Sequence, residues 1–179
     1  MNKIIIYGSK YGTTKKYAEE LSRRTNIKAI SFKDVNHQIN DYDVIIYLGG
    51  LYAGGILGMS KTLKKLNNIA SKKIIIATVG LSDPKDEVNK SNIISNIKNQ
   101  IPKEVFEKAK IFHLRGGIDY SKLSFIHKTM MKLLYKAVKN LPKEKLTAED
   151  RAMIETYNKT VSFIDFSSLD KIINEIWYK

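Results

Sequence analysis

No cysteine occurs anywhere in the 179 residues. Disulfides, zinc–thiolate centres, iron–sulfur clusters and thiol catalysis are therefore excluded. Histidine is scarce, three in all, which argues against a multi-histidine metal site. Long apolar runs are missing: none approaches the roughly eighteen residues of a spanning helix. Met1-Asn2-Lys3 is followed by only three isoleucines before Tyr7-Gly8, far short of a secretory apolar core. The expected location is the cytoplasm, with peripheral contact at the inner face of a membrane left open. Acidic residues are outnumbered, 18 against 31 Lys+Arg, for a net charge of +13. That balance favours anionic partners: nucleic acid, acidic lipid, or a phosphate or polycarboxylate ligand.

What is present is an ordinary soluble composition, 43% hydrophobic and 27% charged, long enough for one domain with its own core. Short isoleucine-rich runs end at glycine, as buried parallel strands do. Lys3–Gly8 predicts the first strand, Ile27–Phe32 the second, and Asp43–Leu48 a third stopped by Gly49-Gly50. Lys73–Val79 predicts the fourth and Ala109–Leu114 the fifth. Helical spacing predicts helices over Thr13–Arg24, Leu57–Asn68 and Asp86–Gln100. A last helix through Trp177 is expected to be N-capped by Ser167, with Asp170 completing a capping box. Alternation of this kind makes an α/β fold with a parallel sheet covered on both faces. Five strands fit the doubly wound order 2-1-3-4-5, in which a ligand sits at the carboxyl ends of the strands. Residues 116–166 exceed the short link that order needs, so the expectation is a single domain over 1–179 with a large insertion.

Four loops at the strand ends carry the candidate chemistry. The first, Gly8-Ser9-Lys10-Tyr11-Gly12-Thr13-Thr14-Lys15, leaves a strand and enters a helix. Hydroxyls, a glycine and the free N–H groups of a helix start suit a phosphate; a hydroxyl-rich cap that binds nothing has the same letters. It is neither G-x-G-x-x-G nor a Walker A motif. The second, Gly49-Gly50-Leu51-Tyr52-Ala53-Gly54-Gly55, lets the chain run close past a flat ligand, with Tyr52 the residue to face it or simply to pack. The third, Gly80-Leu81-Ser82-Asp83, offers backbone N–H groups or an ordinary turn. The fourth, Gly116-Gly117-Ile118-Asp119-Tyr120-Ser121-Lys122-Leu123, follows the fifth strand. His37, His113 and His127 have no carboxylate or serine at triad-like spacing and receive no role; no catalytic side chain and no metal ligand is expected.

The first loop resembles the FMN-phosphate loop of flavodoxins, T-x-T-G-x-T, with Ser9, Tyr11, Gly12 and Thr14 at the pattern positions and Tyr11 in place of the usual small hydroxyl. The fourth resembles the menaquinone-dependent protoporphyrinogen dehydrogenase branch of that superfamily, whose G-x-x-x-Y-x-x-L signature is matched by Gly116, Tyr120 and Leu123. The resemblance implies a flavodoxin-like fold with FMN bound by the four loops. It also implies electron transfer between an organic substrate such as protoporphyrinogen IX and a quinone or another acceptor. The alternatives are a flavodoxin-type electron carrier and an FMN-free interaction module. No nucleic-acid reading motif is present, and aromatics are not interleaved with the basic residues.

From Tyr120 to Lys143 there are six lysines and no acidic residue. At 100° per residue, Leu123, Ile126, Met130, Met131, Leu133, Leu134, Ala137, Val138 and Leu141 share one broad arc, and Lys128, Lys132, Lys136 and Lys139 gather opposite. A basic amphipathic helix over 123–141 suits an anionic membrane surface; a helix packed on the domain with a solvated lysine face is the other reading.

Overall fold

The structure is a computed structural model that describes residues 1–52 and 54–178. Strand β1 (Lys3–Gly8) leads through helix α1 (Thr13–Thr25) to β2 (Ala29–Ser31), and two short 3₁₀ turns then lead to β3 (Val44–Tyr52). A tight hairpin adds β4 (Gly55–Ile56), followed by α2 (Met59–Leu63) and β5 (Lys73–Gly80). Helices α3 (Glu87–Gln100) and α4 (Lys103–Lys108) precede β6 (Lys110–Arg115). The remainder is β7 (Gly117–Asp119), α5 (Phe125–Val138), α6 (Ala148–Thr156), β8 (Thr160–Ser162) and α7 (Asp170–Trp177).

The main sheet has the order β2-β1-β3-β5-β6, all parallel. Taken as first to fifth, these strands follow the order 2-1-3-4-5; β4 is an antiparallel addition to the end of β3. The register explains the unbroken isoleucine runs. Ile5, Ile46 and Ile75 lie side by side in one row, and Ile6, Tyr47 and Ile76 in the next. Successive side chains point to opposite faces, so the two rows feed two separate cores. The first row packs with Tyr17 and Leu21 of α1 and Ile172 and Ile176 of α7. The second packs with Met59 and Leu63 of α2, Ile93 and Ile97 of α3, and Val105 of α4. A strand buried on both sides has no polar positions to spare, which is why hydropathy alone located it.

Several boundaries differ from the sequence reading. β3 is not stopped by Gly49-Gly50 but runs through to Tyr52, because both glycines keep ladder partners: Gly49 pairs Gly8 and Thr78, and Gly50 pairs Val79. The helix expected over Leu57–Asn68 is only five residues long. Gly58 before it takes the left-handed backbone with φ +78°, and the chain turns again at Asn68, also left-handed. Ser167 does not cap the last helix. Its N–H is taken by the Asp165 carboxylate at 2.9 Å, within a 3₁₀ turn over Phe166–Leu169, and α7 begins at Asp170 without a side-chain cap. A capping box does form, but at α6, between Thr147 and Asp150.

The long segment after β6 leaves and rejoins the fold at one place. β7 and β8 pair antiparallel, Ile118 opposite Val161 and Asp119 opposite Thr160, and the Phe163 N–H donates to the Gly116 carbonyl at 2.9 Å. Between these strands stand α5 and α6. No residue of α5 is buried. Leu123, just before it, is buried, whereas Phe125, Ile126 and Leu133 are 84%, 75% and 64% exposed. The apolar arc of α5 is thus covered only in part: Met131 and Val138 are half-buried, as are His127 and Tyr135 beside them, while Phe125, Ile126 and Leu133 stay open.

Candidate functional site

The carboxyl ends of β1, β3, β5 and β6 surround a cleft enclosing about 510 Å³, part of it open to solvent. Its lower wall is the start of α1. Gly12 precedes the helix with φ +94°, a left-handed conformation that a residue with a Cβ adopts only at a cost. The Gly12 N–H donates to Ser9 Oγ at 3.1 Å. The first intrahelical bond runs from the Lys16 N–H to the Gly12 carbonyl, so the N–H groups of Thr13, Thr14 and Lys15 lack a partner within the helix. No side chain caps this end and no acidic residue occupies the first turn. Its partial positive charge is thus free to meet an anion. Thr14 is 3% exposed.

The neighbouring strand is shaped to this end. A Cβ on Gly50 would stand 3.0 Å from Thr14 Oγ1, and one on Gly116 would stand 3.2 Å from Thr13 Cγ2. Ser9, Lys10, Tyr11, Thr13 and Thr14 thus meet Gly50, Leu51 and Tyr52, with Gly80, Leu81, Gly116 and Gly117 completing the border. The Gly116 N–H donates to the Gly80 carbonyl at 2.6 Å, fastening the third and fourth loops together. The Lys10 ammonium lies 5.9 Å from the centre of the Tyr52 ring, a cation–π distance that adds positive charge at the mouth.

Other sequence-derived candidates lie elsewhere. Gly12 shapes the loop without lining the cleft, and Ala53 is outside the described residues. Gly54 and Ser82 line a second hollow of about 620 Å³ that shares Leu51, Tyr52 and Leu81 with the cleft and is closed by Ile93, Asn96 and Glu149. Asp83 is exposed and turned to its own loop, accepting the Lys85 N–H at 2.8 Å. Tyr120 is buried beneath the inserted segment, edge-on to Tyr157, which stacks on Tyr135 at 4.0 Å. Burial raises its phenol pKa, and its hydroxyl finds no hydrogen-bond partner among the described residues. Its place is in this aromatic cluster because β7 carries it away from the strand ends.

One residue given no role from the sequence does reach the site. His127 of α5 lies between Tyr11 and Tyr52, in hydrogen-bond contact with both hydroxyls. Nothing in the spacing signals this, since the partners are 116 and 75 positions away. His113 stays structural: its Nδ1 meets the Thr78 hydroxyl at 2.7 Å between β6 and β5, and burial lowers its pKa. Among the described residues no cluster of His, Cys, Asp and Glu is arranged to hold a metal ion, and no helix is long and apolar enough to cross a membrane.

The start of α1, the buried hydroxyl and the glycine floor fit a phosphate monoester. The adjoining half of the cleft is walled by Leu51, Tyr52 and Leu81, the apolar and aromatic side chains that a flat ring needs beside it. Comparison with known proteins agrees with this architecture. Residues 4–145 match the family described as the flavodoxin domain. No curated protein matches the chain. Solved structures that resemble it include flavodoxin 1 from Bacillus cereus, at 18% identity and a TM-score of 0.40 over 79% of this chain and 100% of that one. A flavoprotein from Lactobacillus acidophilus in complex with FMN gives 14% identity and 0.42 over 64% and 91%. A Fusobacterium nucleatum flavodoxin bound to flavin mononucleotide gives 18% and 0.40 over 70% and 75%. With its sheet order, its cleft at the strand ends and a family match over most of its length, this chain belongs to the flavodoxin domain family.

Proposed function

We propose that the cleft binds FMN and that the chain is a flavin-dependent oxidoreductase. The observation that carries this reading is the start of α1: three unpartnered N–H groups, no acid in the first turn, and the buried Thr14 hydroxyl set against Gly50. A phosphate placed there gains charge-assisted hydrogen bonds and the helix dipole together. Thr13, Thr14 and the helix start would hold the phosphate, and Leu51, Tyr52, Gly80, Leu81, Gly116 and Gly117 would border the ring. Bound flavin supplies hydride and single-electron chemistry. The chain's own residues then do the binding, the orientation and the exclusion of water.

The second hollow shares Leu51, Tyr52 and Leu81 with the cleft, so an organic electron donor would approach the ring from that side. The match of Gly116, Tyr120 and Leu123 to the protoporphyrinogen dehydrogenase signature makes protoporphyrinogen IX our proposed donor and a quinone our proposed acceptor. A net charge of +13 suits a substrate with two propionates. The open apolar arc of α5, flanked by lysines, supports an acceptor dissolved in an anionic membrane over a soluble partner protein. Anaerobic mixing of the FMN-loaded protein with protoporphyrinogen and a menaquinone analogue tests this. A quinone-dependent rise in porphyrin fluorescence is expected; flavin binding with no such rise would leave a simple electron carrier.

A further inference from the structure

We propose that His127 is a positioning residue for the flavin site, a role that rests on the FMN reading above. Its imidazole joins the inserted helix to two side chains that line the cleft, while lining none of the cleft itself. Nδ1 meets the Tyr11 hydroxyl and, at 3.0 Å, the hydroxyl of Ser124, the residue that caps α5. Nε2 meets the Tyr52 hydroxyl at 2.5 Å. Both tyrosine rings stand edge-on to the imidazole, with centroids 5.6 and 5.5 Å away and interplanar angles of 85° and 87°.

Tyr11 sits in the loop between β1 and α1, and Tyr52 at the far end of β3. Neither position fixes a large aromatic side chain by itself, because loop and strand-end residues keep rotamer freedom that ordering must overcome. A neutral imidazole offers one donor and one acceptor, and a phenol hydroxyl serves as either. One ring can therefore satisfy both tyrosines at once, donating to one and accepting from the other. The edge-on contacts fix ring planes as well as hydroxyl positions. Because α5 buries no residue of its own, this bridge is also a principal tether between the helix and the cleft. His127 sets the orientation of the cleft's aromatic wall from outside it.

The test is a set of His127 variants read by FMN titration, by flavin fluorescence in the bound state and by tyrosine-ring NMR of the free protein. His127→Ala is expected to weaken FMN binding about tenfold, the equivalent of one or two hydrogen bonds. It should also relieve part of the quenching that a fixed tyrosine beside the flavin produces. In the free protein it should shift the ring signals of both Tyr11 and Tyr52. Two conservative variants separate the two ends of the bridge. His127→Gln carries an amide to the place of Nε2 and should recover the Tyr52 shift and the quenching. His127→Asn carries one to the place of Nδ1 and should recover Tyr11 alone. Wild-type affinity and quenching in His127→Ala, or Gln and Asn variants that behave alike, would overturn the proposal. Should the wild-type protein take up no FMN, the flavin reading fails while the NMR comparison still decides the bridge: unmoved Tyr11 and Tyr52 signals in His127→Ala would refute it.

Discussion

Gly50 of β3 and Thr14 of α1 approach so closely that a single added carbon on the glycine would stand 3.0 Å from the threonine hydroxyl oxygen. That contact closes the end of the cleft where we propose the phosphate sits. A strand buried among parallel neighbours passes beneath a helix start, and the absence of a side chain at Gly50 leaves the hydroxyl where it is.

Gly50→Ala follows directly. The new methyl displaces Thr14 Oγ1, which is buried and has little room to yield. FMN affinity is expected to fall about tenfold, or ~1.4 kcal/mol, with the urea midpoint moving much less. Fluorescence titration beside urea unfolding checks both; an unchanged affinity contradicts the assignment of Thr14 to the phosphate.

Riboflavin, which lacks the phosphate, should bind at least about a hundredfold more weakly than FMN, since several charge-assisted hydrogen bonds at the start of α1 are lost together. Raising the salt concentration should weaken FMN more than riboflavin. Calorimetry with the two ligands checks the order, and equal affinities would place the recognition elsewhere in the cleft.

Asp119 makes the inserted hairpin sensitive to acid. Hydrogen bonds from the Ser121 hydroxyl at 2.5 Å and the Thr160 hydroxyl at 2.9 Å, with the Ser121 N–H and the Lys122 ammonium, lower its pKa from 3.8 to about 2. A lowered carboxylate stabilises the folded form above its unfolded pKa, and that contribution is lost as the pH falls through the folded value. The pairing of β7 with β8 is therefore expected to hold at pH 3.8 and above and to loosen toward about pH 2. Amide NMR signals of Ser121 and Thr160 followed through this window check it. Asp119→Asn should flatten the response, and a wild-type midpoint at the ordinary carboxylate value would contradict the network.

The open face of α5 yields a membrane prediction. Lys128, Lys132 and Lys136 replaced by Glu should abolish flotation with anionic liposomes, each lysine near such a surface contributing about 1 kcal/mol. Ile126→Ser with Leu133→Ser should do the same without changing charge. Flotation that survives both sets assigns the exposed arc to another partner.

Much of this molecule was readable from its letters, and the parts that were not share a physical cause. Ile4–Ile6, Ile45-Ile46 and Ile74–Ile76 announce strands because both faces of each are buried; alternation gave the parallel sheet, and the order came from fitting five strands to the doubly wound fold. The loop at Ser9–Thr14 announced itself by hydroxyls and glycine at a strand–helix junction. Short-range competition hid the rest of the local structure: Asp165 caps the 3₁₀ turn in place of Ser167 and takes the Ser167 hydroxyl at 2.7 Å, and Gly58 delays α2. Long-range pairing hid more. β7 meets β8 across some forty residues, and His127 meets Tyr11 across 116; no local pattern encodes either. Tyr120 matched a signature by spacing yet lies under the inserted segment, since spacing says nothing of which way β7 turns.

The measurement that bears most directly on the account is the visible absorption of the purified protein titrated with FMN. Saturable perturbation of the flavin bands at one FMN per chain, shifted to about tenfold higher FMN by Gly50→Ala, is the result expected. A flavin spectrum identical to that of free FMN at every protein concentration, with no heat of association by calorimetry, would contradict it and leave the fold without its cofactor.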